Sequence, residues 1–397
     1  MRSSALPLDS QNDVMIAGAG PAGLSAAEAI ARRGFSTVVL EQSHEIGSPI
    51  RTSGGSFIGE LRALGLPDSL WHPISRVRFV APNNAAIFDY ADPVMCVIDV
   101  RRVFQHLAER AIAAGAIIRL ATPAIAPILE DGRVTGVRTR DASFHCRVLI
   151  DATGYRSTLV KQAGLDPGFG RFGVGAEYDM FAPHCDQREA VLVVGDEAAP
   201  SGYAWVFPWG GHRVRVGVGI IHPDSSGKPD DFLDRFVENA DHYGVNLKGA
   251  QPVEHHSGLI PAERFAKTFV GDGIIGVGDT AGQASSLLGE GIRWAIRAGR
   301  MAGETVAAAL ERGDTSRRAL VEFEHDWRRE CGMDHRIAYR INKRIAGWDG
   351  PKWDARVELL KTLSPAEFAE ALQTKLTGKW VWRFAARELL RRARVDS

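Results

Sequence analysis

The 397-residue sequence predicts an α/β fold. A parallel-sheet domain, assembled from separated stretches of chain, is interleaved with an antiparallel β-sheet domain, and a helical segment follows at the C-terminal end. Three observations predict this. An apolar run, a glycine-rich turn, an alanine-rich stretch and a second apolar run succeed one another over residues 13–41. Apolar runs ending in glycine-rich turns return at 148–157 and 273–291. Between these returns lie short strand-like runs with interspersed glycines.

The composition is that of an ordinary globular protein, 45% hydrophobic and 24% charged. Lys+Arg and Asp+Glu both number 48, which argues against a nucleic-acid partner held by bulk charge. Forty-two glycines point to many tight turns and close backbone approaches. The four cysteines, Cys96, Cys146, Cys185 and Cys331, form no C-x-x-C pair, so they are expected as buried free thiols and no metal site is expected. Residues 1–12 are polar without an apolar signal core, and no run approaches the ~18 apolar residues of a spanning helix. A cytoplasmic protein is expected.

Residues 13–17 suit a buried parallel strand. Gly18, Ala19, Gly20, Pro21, Ala22 and Gly23 follow, then a helix over 24–33 closed by Gly34, then a strand over 36–40 ending in Glu41. This is the order of a Rossmann-type dinucleotide-binding unit. Gly18 permits the tight turn, Gly20 lets the backbone approach a pyrophosphate, and Gly23 lets helix and strand pack closely. Pro21 and Ala22 open the helix, whose free N–H groups and positive dipole end face phosphates. Glu41, followed by Gln42, is placed to accept ribose hydroxyls. After Glu41 the pattern breaks into a Gly/Ser-rich loop over 47–59 instead of continuing as βαβ units. That break favours FAD with an interleaved second domain over NAD.

Three further segments support FAD. Residues 98–104 open a helix over 103–115, where the Arg101 cation can reach the FAD phosphates or the flavin edge. Residues 148–157 are an apolar strand running into a turn, and Gly154 allows backbone contact with a cofactor. Residues 273–282 are a strand ending in Gly278 and Asp279; the Asp279 carboxylate can bind a ribityl hydroxyl. The loop through Gly289 and Gly291 then leads into a helix over 292–310. Its N-terminus at Ile292 can stabilise negative charge at the N1–O2 edge of a flavin.

The expected FAD-binding domain comprises 1–75, 101–165 and 263–312, and the substrate-binding sheet 76–100 and 166–262. Residues 313–397 form the helical region. In the sheet, 77–80, 94–98, 190–194, 203–207 and 214–220 read as strands, with Gly217 and Gly219 for close approach. Tyr203, Trp205 and Phe207 fall on one strand face and are expected to wall an apolar pocket between the layers, and Trp209 either joins that wall or packs in the core. The adjacent His255 and His256 point apart in a strand and are expected to be structural or surface groups. Residues 380–394 interleave Trp, Phe and Leu with Arg; they pack on the core with a solvated basic face or, in a second reading, contact a membrane surface peripherally.

With these motifs in hand, the chain resembles the FAD-dependent oxidoreductase superfamily of para-hydroxybenzoate-hydroxylase-like monooxygenases, and within it the geranylgeranyl reductase family. GAGPAG with Glu41, the Arg101 helix, the IDATG turn and the GVGDTAG…GEGI segment carry the superfamily likeness over roughly residues 13–310. Residues 202–208, with Tyr203, Trp205 and Phe207, resemble the reductases' Tyr-x-Trp-x-Phe-Pro segment beside the flavin, and 352–376 resembles their helical end. The resemblance implies reduction of C=C bonds in an isoprenoid or similarly apolar small molecule by hydride from reduced FAD. Arg51 and Thr52 then lie against the cofactor, and Ser53, Gly54, Tyr203 and Trp205 at the reacting end, with a proton donor near 51–55 or at Tyr203. Archaeal members carry a cysteine in this loop, whereas 49–55 has none. A monooxygenase of the same fold and a non-catalytic flavin-binding protein are the alternatives. The electron donor is open between NAD(P)H and a partner such as ferredoxin.

Overall fold

The computed structural model describes residues 11–165 and 167–376. The first strand spans Gln11–Ala17, the helix Pro21–Arg32 and the next strand Thr37–Leu40. Every residue of Thr37–Leu40 is buried, as in a parallel strand covered on both faces. Parallel pairing joins Thr37–Leu40, Gln11–Ala17, Ser143–Asp151 and Ile274–Gly276 in that spatial order, with Ile117–Arg119 parallel at the far side of Thr37–Leu40. Ala124–Glu130 and Arg133–Thr139 attach to Ser143–Asp151 as an antiparallel meander. From Gln11–Ala17 the chain goes to Thr37–Leu40 on one side and returns to Ser143–Asp151 on the other, so the strand order reverses there and a crevice opens at its carboxyl end.

The helix Ile292–Glu311 packs on Pro21–Arg32, which fixes where both helices begin. A Cβ at Gly299 would lie 2.2 Å from the Ala22 carbonyl oxygen, and one at Gly303 2.7 Å from Ala29 Cβ. Only glycine lets the two backbones approach this closely. The N-termini of two helices distant in sequence are thereby held near one crevice.

A seven-stranded sheet lies over that crevice, in the order Gln251–Pro261, Phe172–Phe181, Arg213–His222, Ala199–Gly210, Glu189–Gly195, Arg76–Ala81, Asn84–Asp89. It is antiparallel as expected, except that Glu189–Gly195 pairs in parallel with Arg76–Ala81. Two local readings change. The run at 94–98 does not join this sheet: Met95–Ile98 forms the centre of a separate three-stranded sheet with Gly55–Phe57 and Trp71–Ile74. The glycine-rich loop of 47–59 thus ends in a strand and the start of the helix Ile58–Ala63. Helix formation after Ile98 begins at Val100, ahead of position 103, because Asp99 caps it by accepting from Arg102 N at 3.1 Å.

All four cysteines are buried and free. The chain continues through the helices Glu322–Ile345, Gly350–Leu360 and Pro365–Leu372. Ser364 and Glu367 close a reciprocal capping box on the last, and Phe368 stacks on Phe88 at 3.9 Å, docking it on the edge of the seven-stranded sheet. No helix among the described residues is long and apolar enough to cross a membrane. The basic-aromatic stretch 380–394 lies outside the described residues.

Candidate functional site

A continuous cavity of about 420 Å³ runs from the first glycine turn to the inner face of the seven-stranded sheet. At one end stands the turn itself. Its three motif glycines have different reasons. Gly18 has φ +105°, and a Cβ there would lie 2.3 Å from the Ala152 carbonyl oxygen. A Cβ on Gly23 would lie 2.0 Å from the Gly18 carbonyl oxygen. Gly20 differs: its φ of −76° suits any residue, and a Cβ would meet nothing within 4 Å. The protein's own packing does not require glycine at position 20; the open cavity in front of it accounts for the choice. Gly20 is also the N-cap of Pro21–Arg32 and caps it with no side chain, so N–H groups of that first turn are open to an anion.

Gly20, Pro21, Ala22 and Gln42 line the cavity. Gly18, Gly23 and Glu41 shape the turn behind it. Glu41 accepts from Ala19 N and from Ser43 N, each at 2.8 Å, so its carboxylate braces the turn and keeps a lone pair on each oxygen for a ribose. Arg101 also stands behind the wall; its Nε is buried without a hydrogen-bond partner among the described residues, and Gly47 packs on its Cα at the distance a Cβ would set at 3.0 Å. A buried, unpartnered guanidinium nitrogen fits an anionic ligand.

The other two glycine turns meet here. Asp151, at the end of its strand, accepts from Thr153 N and Oγ1 and from Leu159 N and Val160 N at 2.6–2.9 Å. These bonds hold the following turn, and Gly154 with φ +74° faces the cavity. Thr280 Oγ1 donates to the Gly154 carbonyl at 3.1 Å, tying this turn to the Asp279 turn. Asp279, Gly289, Gly291 and Ile292 all line the cavity. Gly291 is the N-cap of Ile292–Glu311, again without a side-chain cap. Burial raises Asp279 to about 6. Two uncapped helix N-termini and a backbone left open at Gly20 make a site that fits a dinucleotide with a diphosphate and an electron-accepting ring edge, whereas Arg101, expected to reach the phosphates or the flavin edge, stands outside the lining.

The far wall is the inner face of the sheet, set by register. Trp205, Gly217, Glu177 and His256 fall in one cross-strand row; Tyr203, Gly219, Gly175 and Gly258 form the next. The glycines make a floor for the Trp205 indole: a Cβ on Gly217 would lie 2.3 Å from Trp205 Cζ2, and one on Gly219 3.3 Å from Cζ3. Trp205 Nε1 donates to Glu177 Oε2 at 2.8 Å. Tyr203 donates its hydroxyl to the Leu288 carbonyl at 2.5 Å, and burial pushes its pKa well up. Phe207 lies 6.3 Å from Trp205, centroid to centroid. The three aromatics expected on one face therefore do wall the cavity.

Arg51, Thr52, Ser53 and Gly54 line the cavity where sheet and turn meet. Gly54 has φ +77°, and its Cβ would lie 2.8 Å from Ile98 Cγ1. Buried Arg215 holds this loop, donating to the Ser53 carbonyl at 2.7 Å, the Ile98 carbonyl at 3.0 Å and Asp179 Oδ2 at 3.3 Å. Gly258 admits the Arg51 carbonyl, which a Cβ would meet at 2.4 Å.

Two readings are corrected. Trp209 is not part of this wall: its Nε1 donates to Asp179 Oδ1 at 3.2 Å, and Arg213 and Arg215 stack 5.0 and 4.8 Å from its ring. It lies in register near the charged row, two residues beyond Phe207. His255 is a surface group paired with Asp230, but His256 lines the cavity, only 5% exposed, between Glu177 and Glu254. The two-residue period that makes adjacent histidines diverge implied that one of them had to face inward. Glu177, Asp179, Arg215 and Glu290 were not legible as site residues. Glu290, also in the cavity wall, is held up in pKa by burial against the opposing pull of Arg293, which donates to it at 2.7 Å.

A model of the FAD binding domain family matches residues 11–333. The digeranylgeranylglycerophospholipid reductase of Methanothrix thermoacetophila is 33% identical over 334 residues, covering 81% of this chain and 84% of that protein. The chain belongs to this family of FAD-binding reductases. Digeranylgeranylglycerophospholipid reductase 2 of Methanopyrus kandleri is likewise 33% identical, over 88% of this chain and 90% of the relative. Among solved structures, a geranylgeranyl bacteriochlorophyll reductase-like protein from Thermoplasma acidophilum superposes with a TM-score of 0.84 at 25% identity, covering 95% of this chain and 96% of that one. A flavin-dependent brominase superposes with a TM-score of 0.66 at 18% identity and shares the fold. This family member is a FAD-dependent oxidoreductase. Gly20 and Ala22 at the start of one helix, and Asp279 and Gly291 ahead of the other, are suited to hold a FAD.

Proposed function

We propose that this reductase saturates C=C bonds of a polyprenyl chain, in a lipid of the geranylgeranyl type. One observation carries the reading: a continuous cavity leads from the dinucleotide-binding turn to the inner face of the sheet, where Tyr203, Trp205 and Phe207 form an aromatic wall and the Trp205 indole lies flat on Gly217 and Gly219. Aromatic walls match a ligand with few hydrogen bonds to offer. The names of the curated relatives support the same chemistry. When bound, FAD supplies the two-electron redox chemistry.

The chain's residues orient and shield. Arg51 and Thr52 sit where cofactor and substrate layers meet, Ser53 and Gly54 at the reacting end, and Tyr203 and Trp205 set the tilt of the prenyl chain. Arg215 keeps this loop closed on the sheet, and the aromatic wall excludes water from the double bond. The prenyl substrate reaches the protein from a lipid phase, so the working location in this reading is peripheral at a membrane, with 380–394 as the contacting stretch. NAD(P)H or a ferredoxin-like carrier provides electrons.

The test is anaerobic incubation of the reduced holoprotein with a geranylgeranyl glycerophospholipid, followed by mass analysis. Gain of one H2 per double bond supports the reading. Gain of an oxygen atom on admitting air, without H2 gain in its absence, replaces it with the monooxygenase alternative, which the halogenase-like fold neighbours and the loop without cysteine keep in view.

A further inference from the structure

Saturating an alkene consumes a proton as well as a hydride. Of the carboxyls in the cavity wall, Glu290 is paired with Arg293 and Asp279 stands at the turn that faces the cofactor end. The Tyr203 hydroxyl is committed to the Leu288 carbonyl and made a weaker acid by burial. The loop 49–55 contains no cysteine, histidine or carboxylic acid. The sheet edge offers a better source. Glu254 is 41% exposed at the surface, and its Oε2 lies 3.1 Å from His256 Nε2. His256 Nδ1 lies 3.0 Å from Glu177 Oε1, and the Glu177 side chain is 4% exposed. Glu177 and His256 line the cavity. The three groups thus span the edge strands from solvent to the substrate groove.

Both ring nitrogens of His256 face carboxylate oxygens, which only accept, so both nitrogens donate and the ring is an imidazolium. Burial pulls the imidazole down, but hydrogen bonds to Glu177 and Glu254 outweigh it and hold its pKa above the ordinary value. The other charges facing the chain are Arg215, which opposes the imidazolium, and Arg101 and Arg213, which with His256 lower Glu254. Arg213 Nη2 stands 3.8 Å from Glu254 Oε1.

We infer that Glu254, His256 and Glu177 form a proton path from solvent to the groove and that Glu177 delivers the proton of alkene reduction. The inference rests on the reductase reading above. The C=C π bond is replaced by two C–H bonds. One hydrogen comes with both electrons from the reduced cofactor, and the other comes as a proton from Glu177. Glu177, a carboxylate at rest, takes this proton from His256 Nδ1 as the alkene is reduced, which leaves a neutral ring with its hydrogen on Nε2; a flip of the ring turns the bare nitrogen to Glu254, through which water reprotonates it. Glu177 is the catalytic residue; His256 and Glu254 act through it. Trp205, bonded to Glu177 Oε2, positions that carboxyl against the prenyl chain.

The test uses reduced holoprotein in single turnover with a geranylgeranyl glycerophospholipid, in H2O and D2O across pH, comparing wild type, Glu177→Gln and Glu254→Gln. Glu177→Gln is expected to slow saturation by about 100-fold, in the range typical of a general acid. Glu254→Gln, at the surface and off the cavity, is expected to slow it by about 10-fold, raise the solvent isotope effect and move the pH profile to lower pH, with FAD binding unchanged. Acetic acid added to Glu177→Ala is expected to restore part of the rate. Independently of turnover, nitrogen NMR of the oxidised holoprotein should show both His256 ring nitrogens protonated at pH 7, with a lower titration midpoint in Glu254→Gln. Wild-type rates and isotope effects in both folded variants, or a neutral His256 at pH 7, overturn the path. A wild-type protein that saturates no geranylgeranyl lipid overturns the reductase reading itself, and with it the use of the path, whereas the NMR result still decides whether the path exists.

Discussion

Substituting Gly20 separates what the fold needs from what the cofactor needs. Gly20 has a φ of −76°, so Ala is free of backbone strain there, and its Cβ would meet no atom within 4 Å. As an N-cap, Ala is poorer than Gly by less than about 1 kcal/mol. The FAD-free Gly20→Ala protein should therefore unfold within about 1 kcal/mol of wild type in guanidinium chloride. The added methyl fills the space through which backbone meets the diphosphate. Forcing one methyl into a packed contact costs about 1–3 kcal/mol, or about 5- to 150-fold in Kd for FAD. Gly23→Ala is the contrast: its Cβ would lie 2.0 Å from the Gly18 carbonyl oxygen and 3.2 Å from Ala152 Cβ, inside the protein's own packing. That variant should lose more than about 3 kcal/mol of stability before any ligand is added. Denaturant melts of the two apoproteins and FAD titrations followed by flavin fluorescence read both quantities. Gly20→Ala binding FAD as tightly as wild type would refute the placement of the diphosphate at this turn.

Gly217→Ala puts a Cβ 2.3 Å from the Trp205 ring, where carbon contacts need about 3.5–4.0 Å. The indole must swing into the groove and release Glu177, so lipid binding should weaken at least about 10-fold with FAD binding intact, and the smaller ring of Trp205→Phe in the double variant should recover part of it, as measured by lipid-binding titration. Asp279→Asn removes a carboxyl that burial raises from 3.8 to about 6. A raised acid means the folded apoprotein holds a proton that the unfolded chain has released. Apoprotein stability therefore falls as pH rises from about 4 to about 6, by at most about 3 kcal/mol and less where cavity water screens the charge. The Asn variant should flatten that part of the melt-versus-pH curve while weakening FAD. Arg215→Met leaves Asp179 buried beside Arg213 and Trp209 and frees the Ser53 carbonyl; a loss of about 3–5 kcal/mol in a chemical melt is expected.

The nucleotide half was legible because its chemistry is local. Gly18 to Glu41 are one turn, one helix and two strands, and the reasons for glycine at 18 and 23 lie within reach of the same segment or its neighbour at Ala152. Aromatic alternation at Tyr203, Trp205 and Phe207 was legible too, since the strand period places all three on one face. The rest depends on register between distant strands. Glu177 and His256 are 79 positions apart, and nothing in either segment tells which rows of the sheet oppose each other. Trp209 shares the strand parity of Trp205 yet is drawn away by Asp179 and two arginines contributed by other strands. Met95–Ile98 reads as a sheet strand in either sheet, and its own residues do not tell that its partners are Gly55–Phe57 and Trp71–Ile74. The helix start moved to Val100 because Asp99, an ordinary N-cap residue, outweighs the apolar pattern that begins at 103.

The most direct measurement of the central claim is the absorbance of the bound flavin in one anaerobic turnover. The protein, reduced to one electron pair per flavin, is mixed with a geranylgeranyl lipid and followed at the oxidised-flavin band. Return of the yellow band in step with appearance of the saturated lipid is the predicted result. A flavin that stays bleached with the lipid bound, and regains colour only when air is admitted, would contradict it.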